Sequence, residues 1–375
     1  MPGLLPDVDP DGLLEYSVVY TDRALNHLSQ RFQRVMQDVS ATLKEVYGAR
    51  SAIVVPGSGS FGMEAVVRQF GGGKKALVVR NGWFSYRWSQ IFEMSGVAAG
   101  VEVLKARPVS TEPKAPYAPA PIGDVVAAIR KSKPDLVFAP HVETSAGMML
   151  PDDYLKAVAE AVHEHGGLFV LDCIASGAMW VNMAETGVDV LVSAPQKGWS
   201  STPCAGLVML SERARAALES TTSSSFALDL KKWLAIIESH EKGVAAYHAT
   251  MPTDGLAQLR DAMLETKAFG FAAAKAAQQD IGRRVRGLLE EEGIKSLAAP
   301  GFQAPCVVVS FTDHADWQNT KAFAEQGLQI AAGVPLALDE GPDFRTFRVG
   351  LFGLDKLKNP DRTVASFERA LDGLM

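Results

Sequence analysis

Short, largely continuous apolar runs recur between residues 52 and 210, and they constrain the fold more than any other feature. The runs are Ala52–Val55, Ala76–Val79, Val101–Leu104, Asp135–Ala139, Leu168–Leu171, Asp189–Val192 and Leu207–Leu210, most of them rich in β-branched residues. A strand that is apolar throughout, not alternately, is one buried on both faces. Stretches with helical periodicity separate several runs, namely Phe61–Phe70, Ser85–Met94, Gly123–Lys131 and Asp153–His165. Strand and helix in alternation predict an α/β fold with a mostly parallel sheet between helices. Such a sheet binds ligands at the carboxyl ends of its strands. Ahead of the first strand, Leu25, Leu28, Phe32, Val35, Val39, Leu43 and Val46 are spaced by threes and fours, predicting an amphipathic helix over Arg23–Val46.

The pattern changes further on. Gly255–Glu292 is rich in Ala, Leu, Lys, Glu and Arg and reads as one long helix or two abutting ones. After Pro300 come an expected strand (Cys306–Phe311), helix (Asp316–Gln326), two strands (Gly327–Ala332 and Phe344–Leu351) and a final helix (Asp361–Leu374), a smaller α+β unit. The Pro-rich stretch Pro108–Pro121 is expected to be a surface loop. The division that follows is an N-terminal arm over 1–20, a large domain over 21–268 and a small C-terminal domain over 269–375.

Charge and cysteine content exclude some classes of function. Lys and Arg number 37 against 43 Asp and Glu, a net charge of −6 that disfavours nucleic acid as a partner. Cys173, Cys204 and Cys306 are far apart among apolar neighbours, so a reducing cytoplasm is expected rather than a disulfide framework. The first fifteen residues lack the basic and apolar regions of a signal peptide, and no apolar run approaches the ~18 residues of a membrane span, so no membrane partner is expected.

The strand ends carry the chemistry. After the first strand, Gly57-Ser58-Gly59-Ser60-Phe61-Gly62 opens a helix, where close backbone approach and free N–H groups suit a phosphate. The same string spells the dinucleotide fingerprint G-x-G-x-x-G, with Arg80 placed where a 2′-phosphate could be met. The second strand ends in Arg80-Asn81-Gly82-Trp83-Phe84, whose aromatics could stack on a flat ring or belong to the core. The fourth leads into His141-Val142-Glu143-Thr144-Ser145-Ala146-Gly147, a loop of hydroxyls and an imidazole. The fifth ends in Asp172, a carboxylate that is costly there without a cationic or hydrogen-bonding partner. The sixth leads into Gln196-Lys197-Gly198-Trp199, and a lysine partly removed from water becomes a nucleophilic amine.

Together these features describe a site for pyridoxal phosphate. Lys197 supplies the amine for a Schiff base, and Asp172 pairs with the pyridinium nitrogen that makes the ring an electron sink. Ser58–Ser60 offer a phosphate cradle, and Trp83 or Phe84 a stacking face. At these residues the sequence resembles the class V, fold type I aminotransferases of the serine–pyruvate/alanine–glyoxylate group, from about residue 20 to the C-terminus. Its most specific part is Leu171-Asp172, then Gln196-Lys197-Gly198, then the apolar strand Gly206–Leu210 and Ser-Glu-Arg.

The resemblance implies a large domain with a mostly parallel seven-stranded sheet flanked by helices, plus the smaller C-terminal domain. It implies that Lys197 is the Schiff-base lysine and proton carrier, and that Asp172 pairs with the ring nitrogen. Ser58, Gly59, Ser60 and Gln196 match cofactor-binding positions, Phe84 the ring-stacking position and Thr144 a hydroxyl near the cofactor. Tyr247 and Thr250 match a Tyr-x-x-Thr motif that reaches the neighbouring subunit's phosphate, which implies a homodimer with shared active sites. Arg348, in Phe347-Arg348-Val349-Gly350, matches the arginine that grips the substrate carboxylate, whereas Arg345 has no matched role. The implied reaction is ping-pong transfer of an amino group from a small alanine- or serine-like L-amino acid to a glyoxylate- or pyruvate-like 2-oxo acid.

The chain departs from the family pattern at three places. Leu14–Tyr20 replaces a Pro-Gly-Pro-like turn, Ala194-Pro195 a small polar pair, and Thr202-Pro203-Cys204-Ala205 a Pro-Pro-Gly. The alternatives are a lyase or desulfurase of the same fold, and a nicotinamide-dependent oxidoreductase using the Gly57–Gly62 loop. A desulfurase needs a mobile cysteine, whereas Cys306 lies in an apolar strand. An oxidoreductase leaves Lys197 and Asp172 unexplained. His163 and His165, two apart on a helix, share no face, so no metal site is expected.

Overall fold

The computed structural model describes residues 13–375. All seven expected strands form one sheet: β1 Ser51–Pro56, β2 Lys75–Arg80, β3 Gly100–Lys105, β4 Leu136–Pro140, β5 Leu168–Asp172, β6 Val190–Ser193 and β7 Ala205–Leu210. They lie in the order β1-β7-β6-β5-β4-β2-β3. Every pairing from β6 to β3 is parallel, whereas β7 runs antiparallel to both β6 and β1. The exception follows from chain length. Only a short loop joins β6 to β7, too short for a crossover helix, so β7 must return antiparallel. That return puts the Lys197 loop beside the carboxyl end of β5.

Every residue of β4, β5, β6 and β7 is buried, as continuous apolar runs require. The run in β3 behaves differently. It is the edge strand, and Gly100–Glu102 are exposed. Around the sheet lie α1 (Gln30–Tyr47), α2 (Gly59–Phe70), α3 (Trp83–Ser95), α4 (Ile122–Ser132), α5 (Asp152–His163), α6 (Leu230–Glu241) and α7 (Thr253–Phe269). The first helix starts later than its apolar spacing predicts. Ser29 caps it by accepting the Phe32 N–H at 3.1 Å, and Leu28 stays outside, half exposed.

The long helical stretch is two helices, α7 and α8 (Phe271–Glu291), broken at Gly270, whose φ of 98° no helix accommodates. Beyond it, β8 (Val307–Phe311), β9 (Ala331–Ala332) and β10 (Thr346–Gly350) form an antiparallel sheet ordered β8-β10-β9. The expected helix 316–326 is two short pieces, Ala315–Gln318 and Lys321–Glu325, because Thr320 is left-handed. Only the last two residues of the expected strand 327–332 pair with β10. The final helix, α9 (Pro360–Asp372), packs with α8 around Phe323, Phe347 and Phe367.

The Pro-rich stretch is more than a surface loop. Arg107–Pro108 pairs with Tyr117–Ala118, and the Tyr117 N–H donates to the Leu297 carbonyl at 2.7 Å. Tyr117 is buried in an apolar cluster with Val142, Met148, Val307 and Val309, which holds the loop after β4 against the C-terminal sheet. Of the expected N-terminal arm, residues 1–12 lie outside the described residues and 13–20 form no helix or strand.

Candidate active site

Asp172 ends β5, deep in the sheet, and is 6% exposed. One carboxylate oxygen accepts the Ile174 N–H at 2.9 Å, the only hydrogen bond of this side chain among the described residues. Burial pushes its carboxyl up to about 7. Glu143 adds to that effect, against the Ile174 N–H and the charges of Arg87 and Lys197. An acid so placed is short of a positively charged hydrogen-bond donor.

Lys197 lies in the turn after β6, which closes through the Ser200 N–H to the Lys197 carbonyl and the Ser201 N–H to the Pro195 carbonyl, both at 3.1 Å. The next residue must be glycine, because a Cβ at Gly198 would sit 2.3 Å from the Gly177 carbonyl oxygen. The amine makes no hydrogen bond or ion pair among the described residues, and Nζ stands 5.3 Å from the centre of the Phe352 ring. Burial holds its pKa below the ordinary lysine value. The Arg348 charge adds to this, while Asp172 opposes it.

The phosphate-type loop sits beside these two residues. Gly57 has φ 126°, and a Cβ there would strike the Phe61 ring. A Cβ on Gly59 would meet Ile174 Cδ1 at 2.6 Å, so the start of α2 abuts the segment just after Asp172. Ser58 occupies the N-cap position, yet its side chain makes no cap hydrogen bond. Its carbonyl receives the N–H groups of Phe61 and Gly62, while those of Gly59 and Ser60 have no partner among the described residues. A helix start with an idle hydroxyl and unpaired N–H groups suits an anion. With Asp172 and Lys197, these residues fit pyridoxal phosphate.

Phe84 is half-buried in the first turn of α3, its backbone N–H bound to Glu143 Oε1 at 3.1 Å. Arg348, on β10, directs its guanidinium to within 5.6 Å of the Phe84 ring centre and donates Nε–H to the Ala332 carbonyl at 2.7 Å. It forms no ion pair among the described residues. Burial lowers its pKa, opposed by the Glu143 charge. Arg345, three residues earlier, is exposed. Thr144 is buried beside Glu143, and Gln196 is exposed. Tyr247 and Thr250 are exposed, with their hydroxyls 3.4 Å apart, and nothing in this chain joins them to Lys197 or Asp172.

Two residues of the site escaped the sequence reading. Glu143 is fully buried, and its carboxylate accepts the N–H groups of Phe84, Ser85 and Ser145 and both serine hydroxyls. Arg87 donates to Ser60 Oγ at 2.9 Å and lies 5.4 Å from the Phe84 ring centre. Its spacing of three from Phe84 on a helix was the available signal.

Rival chemistries find little support. Arg80 is buried, donates to Ser89 Oγ at 2.8 Å and stands over the Tyr86 ring, so it is not held out toward a nucleotide. Cys306 is fully buried, its thiol pushed up to about 12 by burial, so it is not the mobile thiolate of a desulfurase. His163 binds Asp189 and His165 the Pro134 carbonyl, and no metal-binding cluster occurs among the described residues.

Comparison with known proteins agrees with this geometry. The family described as Aminotransferase class-V matches residues 13–348. Alanine–glyoxylate aminotransferase of Callithrix jacchus is 26% identical over 92% of this chain and 82% of its own. The 2-aminoethylphosphonate–pyruvate transaminase of Paraburkholderia phymatum is 31% identical over 98% of both chains. The crystal structure of alanine–glyoxylate aminotransferase from Nostoc sp. superposes with a TM-score of 0.76, covering 92% of this chain and 88% of that one at 22% identity. The chain belongs to the class-V aminotransferases and is a transaminase that depends on pyridoxal phosphate.

Proposed function

We propose that the enzyme moves the amino group of a small alanine- or serine-like L-amino acid to a glyoxylate- or pyruvate-like 2-oxo acid, in two half-reactions at one site. The observation that carries this reading is Arg348. It is a half-buried guanidinium with no acid partner among the described residues, close enough to Lys197 to lower its pKa. Such a group takes a carboxylate through two parallel hydrogen bonds.

Bound pyridoxal phosphate supplies the electron sink that makes the substrate's α-proton acidic. Ser58, Gly59 and Ser60 would hold the phosphate, with Gln196 as a further contact. Asp172 would accept the hydrogen of the ring nitrogen. Phe84 would stack on the ring, and the Thr144 hydroxyl would be a further contact with the cofactor. Lys197, whose amine burial favours in the neutral form, takes the proton from the substrate α-carbon at Nζ and returns it. Tyr247 and Thr250 serve the site of a second copy, which makes the functional unit a homodimer. Their exposure supports that role. Three buried, free cysteines support a cytoplasmic location. No helix among the described residues is long and apolar enough to cross a membrane.

The Paraburkholderia relative favours a second donor. Its name gives 2-aminoethylphosphonate, and a guanidinium grips a phosphonate as readily as a carboxylate. The visible spectrum of the purified enzyme tests both. Fading of the yellow band with L-alanine or L-serine, and its return with glyoxylate, is the expected result. A band that fades only with 2-aminoethylphosphonate replaces the amino acid donor, and one that ignores all three overturns both readings.

A further inference from the structure

A phosphate group carries close to two negative charges. The start of α2 offers it N–H groups and hydroxyls, which are neutral donors. The described cations near this site are Lys197, Arg348 and Arg87. Lys197 is engaged by the proton transfer proposed above, and Arg348 is bonded to the C-terminal sheet through Ala332. Arg87 remains. It is half-buried and forms no ion pair among the described residues, and its one hydrogen bond goes to Ser60 Oγ.

The polarity of that bond matters. A guanidinium has donors only. The Ser60 oxygen therefore accepts from Arg87 and must turn its own O–H elsewhere, and a hydroxyl polarised by a cation is a stronger donor to an anion. The position of Arg87 is fixed on both sides. Glu143 pins the first turn of α3 through Phe84 and Ser85, and Arg87 follows on the next turn against the Phe84 ring. Arg87 and Arg348 both approach that ring, one tied to the phosphate loop and the other to the C-terminal sheet.

We infer that Arg87 is a positioning residue of the cofactor-phosphate site, orienting the Ser60 hydroxyl and supplying the positive charge that the helix start lacks. This rests on the pyridoxal phosphate reading of Ser58–Ser60. It assigns Arg87 to the cofactor, not to a second acid group on the substrate.

The test compares two ligands that differ by the phosphate. Full-length protein freed of cofactor is titrated with pyridoxal phosphate and with pyridoxal, read by tryptophan fluorescence and by the visible band. Arg87→Gln is expected to weaken pyridoxal phosphate about tenfold to a hundredfold, the range for a lost charge-assisted contact. Pyridoxal binding should change less than about twofold, and Arg87→Lys should recover part of the loss because the charge returns without the planar fork. Equal weakening of both ligands would make Arg87 a merely structural residue and overturn the inference. So would unchanged pyridoxal phosphate affinity with a raised KM for the amino donor, which would move Arg87 to the substrate. If Arg87→Gln does not fold, Arg87→Lys carries the same comparison of the two ligands. A wild-type protein that binds neither ligand removes the cofactor reading itself, a failure separate from any Arg87 effect.

Discussion

The residues proposed to hold the cofactor and the one proposed to hold the substrate are built into the fold differently. Asp172, Lys197 and Ser58–Ser60 sit on strand ends of a sheet whose inner strands are wholly buried, and close packing against Ile174 and Gly177 fixes their backbone. The substrate side rests on β10 of the small sheet, where Arg348 alternates with buried Phe347 and Val349 and borders exposed Gly350. The two sides are joined through Phe352 over Lys197, the Arg348 contact with Phe84 and the apolar cluster around Tyr117. The departures from the family pattern fall at Leu14–Tyr20, Ala194-Pro195 and Thr202–Ala205, which leave Asp172, Lys197 and Arg348 in place. At the glycines beside these residues an added Cβ meets Ile174 at 2.6 Å or the Gly177 carbonyl at 2.3 Å, so those positions tolerate little change. A half-exposed arginine on a small sheet can serve different acids.

The sharpest break in this comparison is Lys197→Ala. Loss of the amine removes the proposed proton carrier, and kcat should fall about 10³-fold or more, within the upper range for positioned acid–base groups. Near-normal turnover would sink the mechanism.

Asp172→Asn probes the same side through pH. The carboxyl is displaced upward from 3.8 to about 7 by burial, so the folded, cofactor-free protein holds a proton that the unfolded chain releases above pH 4. Stability of the cofactor-free wild type must therefore fall between about pH 4 and pH 7, by about 1.4 kcal/mol for each pH unit between the two values. Asparagine has no such proton. The cofactor-free variant should melt above wild type near pH 8 and match it near pH 4, while losing turnover. Parallel melting curves across that range would show that Asp172 is not held protonated.

Arg348→Ala addresses the substrate side. Loss of a charge-assisted pair costs about 1.5–3 kcal/mol, so KM for both amino and oxo acids should rise about tenfold to a hundredfold. Cofactor content should not change, and Arg345→Ala should alter neither quantity. An unchanged KM in Arg348→Ala would move the acid site elsewhere.

The legible and illegible parts of the site differ in a physical way. Asp172 stood out because a carboxylate ending an apolar strand is costly wherever the strand lies, and Lys197 because it follows one apolar strand and precedes another, where a solvated lysine is not the default. Glu143 did not, because its value depends on meeting α3, 58 and 59 residues back along the chain. Arg87 reaches Ser60 from 27 residues away, and Tyr117 meets Leu297, pairings that no local pattern encodes. The sheet itself was readable because continuous apolar runs have few other uses. Its C-terminal companion was misread at Gly327–Ala332, where apolar character without pairing partners leaves only two residues in the strand.

Glu143→Gln is the smallest expected effect and the one that tests the joint between the two sides. The N-cap of α3 is Gly82, which has no side chain to cap the helix. Glu143 does it from outside, accepting the N–H groups of Phe84 and Ser85 with two different oxygens. Gly82 is itself confined there, since a Cβ would stand 2.2 Å from Ser145 Oγ. A carboxamide keeps the shape but offers one oxygen, so its NH₂ must face one of the two helix donors. One unsatisfied buried donor costs about 1–3 kcal/mol. The melting temperature should drop by a few degrees, about 2–4 °C per kcal/mol in a chain of 150–250 residues and less in a longer one. The Phe84 contact should loosen with it, and the affinity for pyridoxal phosphate should fall. If melting falls while cofactor affinity stays constant, the cap stabilises α3 without positioning the ring, and the two sides are coupled through Tyr117 and Phe352 alone.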